Sequence, residues 1–328
     1  MKALVYTAPN EMQVLEQPEP ILGDDLLINI HAVGICGSDM HAYQGHDPRR
    51  LPPMVLGHEV CGLVEGGSRD SQQVILNPLI TCGYCDYCLT GRSNLCANRT
   101  MIGMTRPGGY AERVSVPEQC LVRVPDDMSP IHAALTEPAA TGYHGLVLVN
   151  RVSVRPVSEL KALVIGGGSV GLLTALLLKH QGCETIALAE TNALRQKPAV
   201  AEQFGKVYSP LEQDTPENCY DLVVDCVGSE KTRQLAMHAL APCGILLHIG
   251  LQDNLGGLDA RKMTLSEITV LGAYTYTTAD LKAAAHKLYS GAFGSLSWVE
   301  ERSLDQGPET FRALLNGEIS APKVVLVP

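Results

Sequence analysis

The chain has 328 residues, 45% of them hydrophobic and 18% charged, with 25 basic side chains against 35 acidic ones and a formal net charge of -10. Such a length predicts about two globular domains, and such a composition excludes a disordered or fibrous protein. The acidic balance, without any dense Lys/Arg run, excludes nucleic acid as a partner, and the longest apolar helical run, VGLLTALLLKH, is too short to span a membrane.

The opening MKALVYTAPN lacks the apolar stretch and cleavage site of a signal peptide, so a reducing cytoplasm is the expected location. Residues 1–140 then read as short strands broken by Gly and Pro, with apolar alternation in KALVYT, LLINIHAV and ERVSV. Cys36, in GICGSDMH, and His58 with Glu59, in VLGHEVCG, offer a thiolate, an imidazole and a carboxylate. Together they form a three-ligand zinc shell with one position left for water or substrate. Glu137, in the apolar ALTEPAATGYH, is the other acidic candidate, because an unpaired carboxylate there would be costly, and either glutamate fits the third protein position. Asp39 reads as the partner that orients His58 through its ring N–H.

Between these candidates, TCGYCDYCLTGRSNLC spaces Cys82, Cys85, Cys88 and Cys96 so that one loop folds four thiolates around one ion. A ferredoxin run would place its fourth cysteine after three residues and before proline, whereas Cys96 comes after seven and precedes Ala97. Four thiolates close a tetrahedral zinc site, which braces the loop and does no chemistry. The remaining cysteines, among them Cys183, Cys226 and Cys243, lie in apolar contexts and read as core residues.

From about residue 160 the rhythm becomes strand, glycine turn, apolar helix, strand, in KALVIGGGSVGLLTALLLKHQG and TIALAE. DLVVDCVG, the helix EKTRQLAMHALAP, GILLHIG and EITVLGAY continue it, which predicts a parallel sheet of about six strands. The twelve residues between Tyr208 and Asp221 leave room for a single helical turn or none. Gly166, Gly168 and Gly171 form G-x-G-x-x-G between strand and helix. There the glycines let a pyrophosphate approach the backbone, and the helix N-terminus supplies amide donors. Ser169, Val170 and Val227 join them as candidate cofactor contacts. Glu190, ending the next strand, is placed to accept hydrogen bonds from the adenosine ribose and to repel a 2′-phosphate, which favours NAD over NADP, while Arg195 nearby keeps NADP open. The domain division is then 1–140 for the first domain, 141–277 for the dinucleotide-binding domain, and 278–328, opening with the helical TADLKAAAHKLYS, for a return to the first.

GICGSDMH, GHEVCG, the four-cysteine lobe, GGYAE, TEPAATGYH and VIGGGSVG stand in this order over most of the chain, which thereby resembles the medium-chain, zinc-dependent alcohol and polyol dehydrogenases. The resemblance implies a GroES-like β-rich catalytic domain carrying two zincs, a Rossmann domain carrying the nicotinamide, and a homodimer or homotetramer. It assigns Cys36, His58 and a glutamate to the catalytic zinc, and the four cysteines to the structural one. Ser38 matches the hydroxyl that takes the substrate proton, His41 the outer end of that relay, through the nicotinamide ribose, and Arg195 the basic position near the adenosine ribose. Glutamate at 137 is similar to the sorbitol- and threonine-dehydrogenase group, in which Glu59 can exchange with it at the metal. A carboxylate-rich shell suits polyols, sugar alcohols or hydroxy-amino acids. Relative to the family, GLVEGGSRDSQQVILNP and the segment after Tyr208 are shortened.

The implied activity is oxidation of a small alcohol with hydride transfer to NAD. A zinc-independent quinone-reductase-like enzyme would lack the metal ligands, and a non-enzymatic nucleotide-binding scaffold would leave Ser38, His41 and Glu137 without a reason to coincide. Tyr43, His46, Arg49, Arg106 and Tyr274 are expected near the substrate cleft, with Arg49, Arg50 and Arg106 read mainly as solvated loop arginines.

Overall fold

The computed structural model describes residues 1–328. The Val- and Ile-rich segments of the N-terminal part pair antiparallel in a sheet to which the C-terminal tail adds two mutually parallel strands, and both faces are buried, Ala32, Cys61 and Ile75 in one core and Val33, Val60 and Val74 in another. Its main path runs Leu121–Arg123, Gln73–Leu76, Glu59–Glu65, Leu26–Gly34, Lys323–Val327 and Val299–Ser303, with Arg113–Val116 also paired to Leu26–Gly34. The last two strands come from the C-terminal tail. Lys323–Val327 pairs antiparallel with Leu26–Gly34, setting Val325 opposite Gly34. Gly34 in turn stands opposite Glu59, so the tail reaches the sheet beside the GHE segment.

The second sheet is entirely parallel, in the order Lys206–Tyr208, Thr185–Ala189, Lys161–Ile165, Tyr220–Asp225, Leu240–His248 and Thr269–Gly272. Its central strands are apolar runs because helices cover both faces: Ala162, Leu163, Val164, Leu222, Val223 and Val224 are all fully buried. The helix Ser169–His180 follows the first of these strands, and the chain order reverses between Lys161–Ile165 and Tyr220–Asp225. A crevice outside the carboxyl ends of the strands forms at such a switch point.

The segment from Ser209 to Cys219 contains turns and no helix, in line with its brevity. It is held at Thr215, whose hydroxyl bonds Tyr208 (2.9 Å) and whose carbonyl meets His238 Nε2 at 3.1 Å. The helices Thr136–Val152 and Thr278–Tyr289 pack together, joined by His144 Nδ1 and Asp280 Oδ2 at 2.8 Å. No helix is long and apolar enough to cross a membrane.

The leftover cysteines divide. Cys183 is buried, Cys226 is half-buried with its thiol pushed up by burial and by Asp225, and Cys243 is exposed at a left-handed turn (φ 60°). Cys243 therefore corrects the core assignment; it lies in the bulged stretch of Leu240–His248, between Leu240 opposite Tyr220 and Ile245 opposite Leu222, where the chain turns its side chain out of the core.

Candidate active site

Ligand atoms of Cys36, His58 and Glu59 lie within 4.8 Å of one another. Cys36 precedes the helix Gly37–Tyr43, and its backbone N–H donates to Asp39 Oδ2 at 3.2 Å, so the helix start fixes the thiol. His58 immediately precedes the strand Glu59–Glu65, and Glu59 opens it opposite Gly34. A Cβ at Gly34 would come 1.9 Å from Glu59 Oε2, so only glycine lets the carboxylate lie there.

Asp39 caps the helix and also faces His58, with Oδ1 3.5 Å from Nδ1. That approach is long for a hydrogen bond, and His58 Nδ1 is buried without a partner. Asp39 accepts instead from Tyr110 Oη at 2.6 Å and from Arg50 Nη1 at 3.2 Å. Burial would raise its carboxyl, but the charges of His58 and Arg50 and the bond from Tyr110 hold it well below the usual range. Burial likewise opposes a charged His58, while Asp39 and Cys36 raise it well above its ordinary value.

Glu137 stands outside the group of three. It begins the helix Thr136–Val152, is 8% exposed, and accepts from Tyr276 Oη at 2.8 Å. Burial raises its carboxyl and Glu59 adds to that, against the opposing pull of His58, Tyr276 and Lys323. Glu59 itself is gripped by Lys323, 2.7 Å from each of its oxygens. Tyr110 belongs to GGYAE, a motif that assigns it no role, and Arg50, Tyr276 and Lys323 carry no motif of their own; a lysine heading the apolar run KVVLV was the one visible irregularity.

Ser38 accepts from both terminal nitrogens of Arg50, at 3.3 and 3.4 Å. His41 is half-buried in the same helix, and burial, His46 and Arg50 lower its pKa. Cys36 also lines one end of a cavity of about 680 Å³. Gly166, Gly168, Ser169, Val170, Gly171, Glu190, Arg195 and Val227 line the same cavity, so every candidate cofactor residue faces one space. Glu190 is anchored there, accepting from the backbone N–H groups of Gly167 and Asn192 at 2.7 Å each.

Cys82, Cys85, Cys88 and Cys96 form the second group whose ligand atoms lie within 4.8 Å of each other. Their lobe docks on the segment before the helix Thr278–Tyr289: Asn94 Nδ2 donates to the Tyr274 carbonyl at 2.8 Å.

The proposed cleft side chains fare unevenly. Tyr43 is buried in the core, its hydroxyl on the Asn10 carbonyl at 2.8 Å and its ring 5.3 Å from Phe311. Arg106 is bound to Asp25 and to the Ser115 carbonyl, and neither residue belongs to the site. Arg49 is exposed and held by Asp47. Arg50 is no solvated loop residue at all: it is 1% exposed, because Asp39 and Ser38 draw it inward. Tyr274 lies under the Arg99 guanidinium, 4.8 Å from its ring centroid.

Comparison with known proteins agrees with this geometry. Residues 23–126 match the family described as "Alcohol dehydrogenase GroES-like domain", and residues 169–290 match "Zinc-binding dehydrogenase". The chain is 30% identical to a sorbitol dehydrogenase of Halalkalibacterium halodurans, covering 100% of this chain and 99% of that one. Among solved structures, a protein assigned as a zinc-binding dehydrogenase from Sinorhizobium meliloti 1021, bound to NADP, is 30% identical with a TM-score of 0.84, covering 100% of this chain and 99% of that one. An acetophenone reductase of Geotrichum candidum in complex with NAD is 27% identical with a TM-score of 0.87, covering 100% and 97%. The chain belongs to the medium-chain, zinc-dependent alcohol and polyol dehydrogenases, with a GroES-like domain and a Rossmann-like nucleotide-binding domain.

Proposed function

We propose that this dehydrogenase interconverts a secondary alcohol, of polyol, sugar-alcohol or related hydroxy type, with its ketone, using NAD and a catalytic zinc, and carries a second, structural zinc. The carrying observation is the single cavity that runs from Cys36 to Glu190. The donor sets fit the metals: thiol, imidazole and carboxylate in one group, and four thiols in the other. The cavity fits a dinucleotide, since a Cβ at Gly168 would meet nothing within 4 Å and leaves the helix N-terminus open to a phosphate. When bound, zinc supplies Lewis acidity at the substrate oxygen and the nicotinamide accepts hydride.

The chain's own residues do the rest. Cys36 and His58 would hold the metal with a glutamate as third ligand, either Glu59, which lies in their group but is gripped by Lys323, or Glu137, tied by one hydrogen bond from Tyr276. Ser38 takes the substrate proton and His41 carries it outward; a lowered pKa keeps His41 able to accept one. Glu190 selects NAD because two backbone N–H groups anchor its carboxylate, so it cannot swing away from a 2′-phosphate. Residues 1–140 and 278–328 form the catalytic domain and 141–277 the cofactor domain. A homodimer or homotetramer accords with Thr269–Gly272 being an edge strand and with the exposed Leu251, Leu255 and Leu265.

NADH formation across polyols, polyol phosphates and threonine, together with zinc counts per chain, tests the reading. Cys36→Ser should abolish turnover while cofactor affinity stays; activity persisting after loss of that zinc would overturn it.

A further inference from the structure

Arg50 is the largest fully buried side chain of the protein, at 1% exposure. A buried guanidinium is tolerated only where its charge and donors are matched. Asp39 matches the charge, at 3.2 Å from Nη1; Asp47 Oδ2 lies 3.7 Å from Nε, which has no hydrogen-bond partner. The remaining contacts go to Ser38 Oγ, from Nη1 at 3.3 Å and Nη2 at 3.4 Å. A plain Arg50–Asp39 ion pair would not need them.

We propose that Arg50 is a positioning residue that fixes the Ser38 hydroxyl for proton exit and ties it to the carboxylate behind His58. The role given to Ser38 rests on the dehydrogenase reading above. A hydroxyl has one proton to donate and two lone pairs, and a guanidinium can only donate. The two Arg50 donors converge on Oγ and turn the Ser38 O–H away from the guanidinium. That fixes the direction in which the hydroxyl gives up its proton, while both contacts, at 3.3 and 3.4 Å, are long enough to yield when the oxygen takes one. Asp39 Oδ1 is shared between Arg50 and the face of His58, so the same guanidinium also limits where that carboxylate can lie. A lysine would keep the charge and lose the fork that reaches both partners.

The test uses Arg50→Lys, Arg50→Ala, Ser38→Ala and the R50K/S38A double variant in the zinc-loaded enzyme. R50K is expected to fold and bind NAD as the wild type does, with kcat lower by on the order of tenfold to a hundredfold. The double variant should be no slower than S38A, because Arg50 acts through Ser38. Added guanidinium ion should recover part of the rate of R50A. Independently of turnover, competition with a chelator should show the zinc affinity of R50K down by roughly tenfold, through Asp39. Independent, multiplying losses in the double variant would overturn the proposal, as would an R50K enzyme with wild-type kcat and zinc affinity. If the wild-type protein oxidises no alcohol, the dehydrogenase reading fails first, and the chelator competition still decides whether Arg50 controls Asp39.

Discussion

Lys323 Nζ lies 2.7 Å from both carboxylate oxygens of Glu59 and donates to the Ile35 carbonyl at 2.7 Å. The two side chains are 2% and 0% exposed, so this is a fully buried ion pair that joins the C-terminal strand to the GHE segment. Burial opposes the ammonium, but Glu59 and Cys36 outweigh it and raise its pKa. Removing one partner of such a pair leaves a buried charge uncompensated, at a cost of about 3–5 kcal/mol. Lys323→Met should therefore lose about that much stability in chemical denaturation, and Lys323→Arg less. Wild-type stability in Lys323→Met would mean that Glu59 finds another cation, the catalytic zinc first.

The glycine turn separates packing from ligand binding. A Cβ at Gly171 would stand 1.9 Å from the Gly166 carbonyl, whereas one at Gly168 would meet nothing within 4 Å. Gly171→Ala should force the helix Ser169–His180 off its strand and lower the melting temperature. Gly168→Ala should leave stability within about 0.5 kcal/mol and weaken NAD binding, read by titration. Equal melting losses in the two variants would contradict this division.

The four-cysteine lobe presses on the approach to Tyr276 through Asn94 and the Tyr274 carbonyl. Cys82→Ser should lower bound zinc by one per chain and expose the lobe to proteolysis before hydride transfer suffers. Inactivity in a Cys82→Ser protein that is folded and fully assembled would count against a bracing role.

His144 and Asp280 give a pH signature away from the metal ligands. Burial would raise the Asp280 carboxyl, but hydrogen bonds from His144 and Thr277 lower it below its ordinary value. A group depressed in the folded state stabilises fully above its unfolded pKa, about 4 for Asp, and that contribution is lost as pH falls through the folded value. Asp280→Asn should cost about 1.5–3 kcal/mol near neutrality, and denaturation curves of variant and wild type should converge below about pH 4. A gap that stays constant on acidification would assign the loss to packing instead.

Periodicity and spacing carry whatever is local. The parallel strands, the glycine turn and the helix after it were readable because each depends on neighbours within a few residues. The four cysteines came together as one loop for the same reason. Cys36, His58 and Glu59 were nameable from two short motifs, and Ser38 and His41 from the family resemblance, yet what holds them was not. Arg50 looked like any loop arginine, Tyr43 and Arg106 looked like cleft residues, and nothing in KVVLV announced that Lys323 would neutralise a glutamate 264 positions away. Those facts depend on strand register between distant segments and on whether packing leaves a charge in water or seals it in. The sequence by itself determined which chemical groups the protein possesses and their local turns. Only the tertiary structure decided which carboxylate meets which cation, because burial turns a weak surface charge into one that must be paired.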